Sequence, residues 1–161
     1  MTPMGVGDFD DLKAVWADPE FVKHITGVPL KGEEVWLRLL RDIGHWQALG
    51  RGNWCVRRTE DGTYVGSVGV LDFRRDLVPP FDAPELGWGI APRFQGQGMA
   101  FEAVSAALAW CDETLNAPRT VCMISPGNTP SMKLAERASF RPYADGDYKG
   151  ETITLLERHS R

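Results

Sequence analysis

The sequence predicts an α+β domain in which a mixed, mostly antiparallel sheet is flanked by helices. Three observations lead to this prediction: the order of the elements, a strong hairpin signal at Asp61-Gly62, and a glycine-rich loop at residues 95–98. The order runs from helices to a hairpin, then strand, helix, strand and helix, and finally a closing pair of strands. A strand, a helix and a further strand in succession favour one parallel crossover within the sheet.

The N-terminal third is predicted to be helical. Apolar residues at spacings of three and four predict helices over residues 9–16, 19–25 and 33–49. Gly50 follows the last of them, and glycine is the usual residue just past a helix C-terminus.

The central third is predicted to contain three strands. Asn53–Arg58 and Tyr64–Phe73 form the hairpin, because both are rich in residues that favour strands and an Asp-Gly turn separates them. A loop at Arg74–Ala83, with two adjacent prolines, precedes the third strand at Glu85–Ala91. The glycine-rich loop and its helix follow directly.

The C-terminal third is predicted to hold a strand, a helix and two closing strands. These elements lie at residues 120–124, 128–138, 140–143 and 151–156. A turn at Asp145-Gly146-Asp147 is predicted to separate the closing strands, because aspartate and glycine are frequent turn residues.

Composition limits the classes of function. A chain of 161 residues with 43% apolar content fits one folded domain over residues 1–161. A net charge of −4 argues against nucleic acid or an anionic membrane as the main partner. The sequence has no signal-peptide pattern, no long apolar run, and three cysteines and three histidines without metal-ligand spacing. We therefore expect a cytoplasmic protein without a metal.

The loop Gln95-Gly96-Gln97-Gly98-Met99-Ala100 lies between an apolar strand and a helix. Such a loop presents unpaired N–H groups and binds anions, above all phosphates. It does not fit a P-loop, which needs Lys and Ser or Thr where Met99-Ala100 stand. It does not fit a dinucleotide fingerprint either, because Phe101 stands where a third Gly or Ala is needed. The remaining pattern is Gln-x-x-Gly-x-Ala.

That pattern resembles the pyrophosphate loop of the GNAT superfamily of N-acetyltransferases. The resemblance covers nearly the whole chain and is greatest to the branch of ribosomal-protein alanine and serine N-terminal acetyltransferases. The matching motifs are Glu85-Leu86-Gly87-Trp88-Gly89-Ile90, the loop, Phe101-Glu102-Ala103, Asn128-x-x-Ser131 and Ser139-Phe140. The resemblance implies a sheet that is splayed between its two parallel central strands.

The resemblance also implies a binding site for acetyl-coenzyme A as co-substrate. Main-chain N–H groups of the loop would hold the pyrophosphate, and the free edge of the splayed strand would pair with the pantetheine arm. The cofactor-binding residues implied are Trp88, Gly89, Ile90, Gln95, Gly96, Gln97, Gly98, Met99, Ala100, Phe101, Asn128 and Ser131. Plain core packing is the alternative for Trp88-Gly89-Ile90, and a helix N-cap is the alternative for Asn128.

Three residues are candidates for proton transfer. Ser131 matches the family serine that would donate to the departing thiolate, and Tyr143 is a second candidate for that acid. Glu85 is a candidate base for the ammonium, directly or through water, and its alternative role is a solvated carboxylate at the start of a strand. Cys122 is a further candidate as an acyl carrier, although a cysteine in a central strand is usually inert packing.

Two functions remain open. The first is direct transfer of an acetyl group to a primary amine in a ternary complex, with an amine-bearing small molecule or a protein N-terminus as acceptor. The second is a non-catalytic acyl-coenzyme A sensor module. The acceptor is expected beside the first helices and the Arg74–Ala83 loop. Asp72, Asp76 and Asp82 are candidates for a negative field that attracts an ammonium, and the alternative is that they are solvated loop carboxylates.

The sequence departs from the family pattern at two places. Ser139 stands where the branch usually has glycine, and the family's first strand is truncated or absent, or the numbering starts late. The strand at 53–58 is thereby left with an unpaired edge. We expect either that a second protomer covers this edge, which would make a homodimer, or that Thr2 to Val6 lie along it as a short strand.

Overall fold

The structure is a computed structural model and describes residues 1–160. Arg161, which the predicted domain includes, lies outside the described residues. The strands are β1 Thr2–Pro3, β2 Asn53–Arg57, β3 Tyr64–Leu71, β4 Leu77–Val78, β5 Glu85–Ile90, β6 Arg119–Ile124, β7 Arg141–Tyr148 and β8 Glu151–His159. The helices are α1 Phe9–Trp16, α2 Pro19–Val22, α3 Gly32–Leu49, α4 Met99–Glu113 and α5 Thr129–Arg137.

The strands form one sheet in the order β1-β2-β3-β5-β6-β8-β7-β4. The β5–β6 pair is parallel, and the other neighbouring pairs are antiparallel. Helix α4 makes the crossover between β5 and β6, which places the glycine-rich loop at the carboxyl end of β5. The predicted α+β class, with a mixed and mostly antiparallel sheet, is confirmed.

The two parallel strands separate soon after they meet. Their ladder consists of the single pair Glu85 and Val121, with a hydrogen bond of 3.0 Å from the Val121 N–H to the Pro84 carbonyl beside it. From Leu86 onward β5 pairs with β3 alone. The predicted splay is therefore present, and the edge of β5 that faces β6 carries main-chain groups without a strand partner.

The sheet has helices on both faces. Trp88 faces the start of α5, where it contacts Ser131, and Leu86 and Ile90 lie on the same face of the strand, whereas the residues between them point to the opposite face. On that opposite face a Cβ atom added at Gly89 would lie 2.9 Å from the ring of Phe21. Phe21 belongs to α2, so the N-terminal helices cover this part of the splayed strand.

The first residues of the chain lie along the edge of β2. Thr2 pairs with Cys55 and Pro3 pairs with Trp54, in antiparallel register. Met4 follows with only 6% of its surface exposed, so the segment is also packed into the core. Of the two alternatives for the β2 edge, the structure shows the short strand.

The prediction of a turn at Asp145-Gly146-Asp147 is wrong. These residues lie inside β7 and pair with β8, and the turn between the two strands is Lys149-Gly150, with φ of +57° and +80°. Two central residues with positive φ give the type I′ turn that matches the twist of a hairpin. Pairing with β8 and β4 overrides the local Asp-Gly signal. Gly146 has no side chain and so leaves room for the Val78 carbonyl oxygen of β4, which would lie only 3.1 Å from a Cβ atom at position 146.

The predicted loop at Arg74–Ala83 also contains a strand, β4, that pairs with the edge of β7. Two residues are too short a strand to give a periodic signal. Ser139 adopts a φ of +70°, the left-handed conformation that glycine usually takes after a helix. Ser139 therefore adopts a backbone conformation for which glycine is better suited.

Candidate active site

The glycine-rich loop is held in shape by its own glutamines. The Gln95 side chain donates to the carbonyl of Ile90 at 3.0 Å, and the Gln97 side chain donates to the carbonyl of Arg93 at 2.9 Å. Gly96 and Gly98 have φ of +73° and +85°, a region that side chains rarely adopt. The glutamine amides therefore stabilise the loop backbone.

The first turn of α4 leaves main-chain donors free at this loop. The first hydrogen bond that closes the helix runs from the Glu102 N–H to the Gly98 carbonyl, at 3.1 Å. The N–H groups of Met99, Ala100 and Phe101 precede it and have no partner within the helix. A Cβ atom added at Gly96 or Gly98 would meet nothing within 4 Å, so the space in front of the loop is open. Open space, free N–H groups and the positive end of α4 fit a pyrophosphate.

Arg137 adds a full positive charge beside this turn. Its guanidinium carbon lies 3.9 Å from the centre of the Phe101 ring. Sequence reasoning missed this residue, because nothing local signals that the end of α5 meets the start of α4.

Trp88, Asn128 and Ser131 come together where β5 faces the start of α5. The Trp88 indole N–H donates to the Ser131 hydroxyl at 3.3 Å. The Asn128 side-chain oxygen accepts from the Ser131 N–H at 3.3 Å and so caps α5. The cap leaves the Asn128 amide donors available, and the hydroxyl of Ser131 is oriented by a neighbour from the splayed strand.

Glu85 begins β5 at the point where the parallel strands part. It is 6% exposed, so it is not a solvated carboxylate. Arg75 holds both of its oxygens, with Nε 2.7 Å from Oε2 and Nη2 2.9 Å from Oε1. Burial alone would lower the pKa of Arg75, but the hydrogen bonds and charge of Glu85, together with Tyr148, outweigh burial and raise the pKa. Arg75 also donates to the Tyr148 hydroxyl at 2.9 Å.

Tyr143 lies apart from Ser131. It packs beside a second, smaller core cluster that includes Leu155, and the Arg119 guanidinium carbon is 5.0 Å from its ring centre. Leu155 alternates along β8 with Leu156, which belongs to the main core under the other face. Burial raises the pKa of Tyr143. The structure thus groups Tyr143 with the face opposite α5.

The expected negative field is largely neutralised. Asp72 forms salt bridges with Arg51 at 3.4 Å and Arg74 at 3.2 Å. Asp82 is paired with Arg119. Asp76 is exposed, and a solvated carboxylate contributes little at a distance. The three aspartates therefore do not form an attracting cluster.

Cys122 is buried in the middle of β6 with 1% of its surface exposed. Burial raises the pKa of its thiol, which disfavours the nucleophilic thiolate. All three cysteines are buried and free. Cys122 is therefore core packing in this structure and is not placed to carry an acyl group.

Within residues 1–160, no cluster of three or more histidine, cysteine, aspartate or glutamate side chains is arranged to hold a metal ion. None of the helices in the same range has the length and apolarity needed to cross a bilayer.

Comparison with known proteins agrees with this geometry. Residues 1–141 match the family described as acetyltransferase (GNAT) domain. The ribosomal protein uS5-alanine N-acetyltransferase of Escherichia coli is 31% identical over 97 residues, which cover 55% of this chain and half of that enzyme (50%).

Solved structures give the same result over nearly the whole chain. A Bordetella pertussis protein assigned to the GNAT acetyltransferases is 34% identical, with a TM-score of 0.85 over 98% of this chain and 93% of that chain. A spermidine N-acetyltransferase from Vibrio cholerae, solved with CoA and spermine, shares the fold at 16% identity, with a TM-score of 0.76 over 98% and 92%. Because the matching family model spans most of the sequence, the protein belongs to the GNAT family of acetyltransferases and is an acyltransferase.

Proposed function

We propose that the protein transfers an acetyl group from acetyl-coenzyme A directly to a primary amine in a ternary complex. The observation that supports this most is the open edge of β5 beside a loop with free main-chain donors. The two features lie end to end, so one extended ligand would reach both. A thioester with a pyrophosphate tail has this shape.

In this proposal the main chain binds most of the co-substrate. The residues that would hold the pyrophosphate are Gln95, Gly96, Gln97, Gly98, Met99, Ala100 and Phe101. Trp88, Gly89 and Ile90 would pair with the pantetheine arm, and Asn128 would donate to it through its free amide. A main-chain N–H of β5 that polarises the thioester oxygen would contribute about 3 kcal/mol to the barrier reduction.

Ser131 is the proposed acid for the departing thiolate. Its hydroxyl accepts a hydrogen bond from Trp88, which leaves its own proton free to be donated toward the gap between the strands. Ser131 is favoured over Tyr143 because Tyr143 packs with the opposite face of the sheet.

Glu85 is the proposed base, acting through a water molecule. Arg75 uses one lone pair of each carboxylate oxygen, and a carboxylate has about four acceptor positions. The remaining positions would accept from a water that removes the proton from the ammonium. The ion pair fixes the direction in which those positions point.

The proposed acceptors are an amine-bearing small molecule or a protein N-terminus. Both kinds occur among the relatives, in the spermidine enzyme and in the uS5-alanine enzyme. We also propose a cytoplasmic location, since the three buried cysteines are free thiols, as is usual in a reducing compartment.

The test is an assay of the purified protein with acetyl-coenzyme A and a panel of amines. Thiol release is followed with a chromogenic thiol reagent, and acetyl-coenzyme A binding is measured by calorimetry. We expect binding, and thiol release that depends on one class of amine. Binding without release for any amine would favour the sensor module, and the absence of binding would overturn both functions.

A further inference from the structure

Three arginine side chains gather on the face of the sheet that carries Glu85. Arg38 and Arg41 come from α3, and Arg75 comes from the segment after β3. The guanidinium carbons of Arg41 and Arg75 lie 4.2 Å and 4.8 Å from the centre of the same Phe73 ring. Arg38 is close enough to Arg41 and Arg75 for their charges to lower its pKa. We call Arg38, Arg41 and Arg75 the arginine cluster.

A row of aromatic rings joins this cluster to the splayed strand. The guanidinium carbon of Arg38 lies 4.0 Å from the centre of the Trp16 ring. Trp16 meets Phe21 edge to face, with ring centres 5.1 Å apart. Phe21 in turn covers Gly89, where an added Cβ would lie 2.9 Å from its ring. Arg38 therefore lies at the far end of the apolar wall that borders the β5 edge.

The charges of the cluster are only partly balanced. Arg41 is paired with the buried Asp42 at 2.9 Å, and Arg75 is paired with Glu85. Arg38 forms no salt bridge with any carboxylate of residues 1–160.

The surroundings of Arg38 are positive. Burial is the largest effect that lowers the pKa of Arg38, to about 10, and the positive charge of Arg41 is the next. Arg75 lowers the pKa by a smaller amount, and the negative charge of Asp42 offsets only part of the total lowering. A half-buried guanidinium in such surroundings would be stabilised by an additional anion.

We propose that the acceptor amine carries a carboxylate, which Arg38 binds while the amine reaches the gap between β5 and β6. Stacking on Trp16 holds the guanidinium plane fixed, and a fixed guanidinium binds a carboxylate through two parallel hydrogen bonds. A polyamine would be repelled by the same cluster. This proposal rests on the proposed acetyl transfer and names the substrate class for it.

The experiment compares acceptors that differ only in charge. The α-amide of glutamate is compared with the α-amide of glutamine, so that only the first carries a carboxylate. Peptides with an amidated C-terminus and glutamate as the second and third residues are compared with the same peptides that have glutamine there. Spermidine is the cationic reference. We expect kcat/KM for the carboxylate-bearing member of the effective pair to be at least about tenfold higher, and which pair is effective shows whether the source is an amino acid or a peptide.

We define the charge preference as kcat/KM for the carboxylate-bearing acceptor divided by kcat/KM for its amide counterpart. The variant Arg38→Gln is expected to reduce this ratio to about one, mainly through a higher KM for the carboxylate-bearing acceptor, whereas Arg38→Lys should retain part of the preference. The matched control is Arg58→Gln, because Arg58 is bound to carboxylates at the β2–β3 turn, on a hairpin away from the cluster. The control should keep the parent ratio.

The outcomes separate this proposal from the proposed function. Thiol release that is equal for charged and amide acceptors, or greatest for spermidine, would overturn the carboxylate proposal and leave acetyl transfer standing. If Arg38→Gln kept the full preference in kcat/KM for the carboxylate-bearing acceptor, Arg38 would not be the residue that binds the carboxylate. Since the charge comparison is made on the parent protein, it decides the question even if the variant fails to fold.

Discussion

The glycine-rich loop and the arginine cluster are two cationic regions built in different ways. The loop presents main-chain N–H groups of consecutive residues, and its positive potential comes from the dipole of α4. The cluster presents side chains from two elements separated in sequence, stacked on aromatic rings and partly paired with buried carboxylates. The loop therefore depends on backbone conformation, whereas the cluster depends on the identity of each side chain.

The largest effect is expected from breaking the ion pair of the cluster. Arg75→Gln leaves Glu85 buried without a cationic partner, and this should lower the free energy of unfolding by about 3 kcal/mol. Urea denaturation measures it. The double variant Arg75→Gln/Glu85→Gln buries no charge and should recover most of the loss. A loss below about 1 kcal/mol in the single variant would mean that water replaces Arg75 at little cost.

Ser131→Ala tests the side-chain chemistry that lies between the two regions. The hydroxyl would act mainly on the developing thiolate, so kcat should fall by about 100-fold while the Kd for acetyl-coenzyme A stays within about twofold. The control is Ser105→Ala, a serine in α4 that is also half-buried. If kcat stayed within about twofold of the parent value, Ser131 would have a structural role in α5 and no role as an acid.

Gly98→Glu tests the dependence of the loop on its backbone. Added bulk and negative charge at the pyrophosphate position should weaken acetyl-coenzyme A binding at least tenfold, or about 1.4 kcal/mol. Gly62→Glu is the matched control, because Gly62 also has a positive φ, +73° against +85°, and open space around its Cβ position. Both variants carry the same backbone strain, and only the first should change the calorimetric Kd. If a folded Gly98→Glu protein bound acetyl-coenzyme A with the parent Kd, the loop would not be part of the binding site.

The smallest effect concerns acid sensitivity. Asp8 connects the start of α1 to β2 through Arg57, at 2.6 Å. Burial would raise the pKa of Asp8, but hydrogen bonds from the Gly5 N–H and from Arg57 outweigh it and leave the pKa below its ordinary value. The stabilisation is therefore present above the unfolded pKa of about 3.9 and is lost as the pH falls through the lower folded value.

We expect the parent to lose more unfolding free energy than Asp8→Asn between about pH 5 and pH 3, with a constant difference above that range. Urea denaturation at several pH values measures this. Parallel curves for the two proteins would show that Asp8 is not held in its charged form by these partners.

The difference between the two regions also explains what the sequence could predict. The loop from Gln95 to Phe101 is contiguous, so its glycines and its place before a helix are visible in a short window. The partners of Glu85 and Asp82 are not visible in a short window, because Arg75 and Arg119 reach these carboxylates only after the chain has folded. The expected field of aspartates failed for this reason.

The error at Asp145-Gly146-Asp147 has a similar origin. Turn residues give a local signal, but pairing with β8 and with β4 decides the conformation of that segment. Sheet partners that arrive from distant parts of the chain are invisible to local patterns. The splay was accessible only through the resemblance to a family, since no residue type encodes the separation of two strands.

The single pair of Glu85 and Val121 has a mechanical consequence. It divides the sheet into two leaves of four strands, β1-β2-β3-β5 and β6-β8-β7-β4, that share one rung at the base of the gap. Main-chain pairing joins the two leaves only at this rung, and elsewhere the core beneath α4 and α5 holds them together. In the proposed complex, an extended ligand paired with the free edge of β5 would take the place of a missing strand and would join the two leaves. We therefore expect the complex to be more rigid than the free protein, because the bound co-substrate would be one of its structural parts.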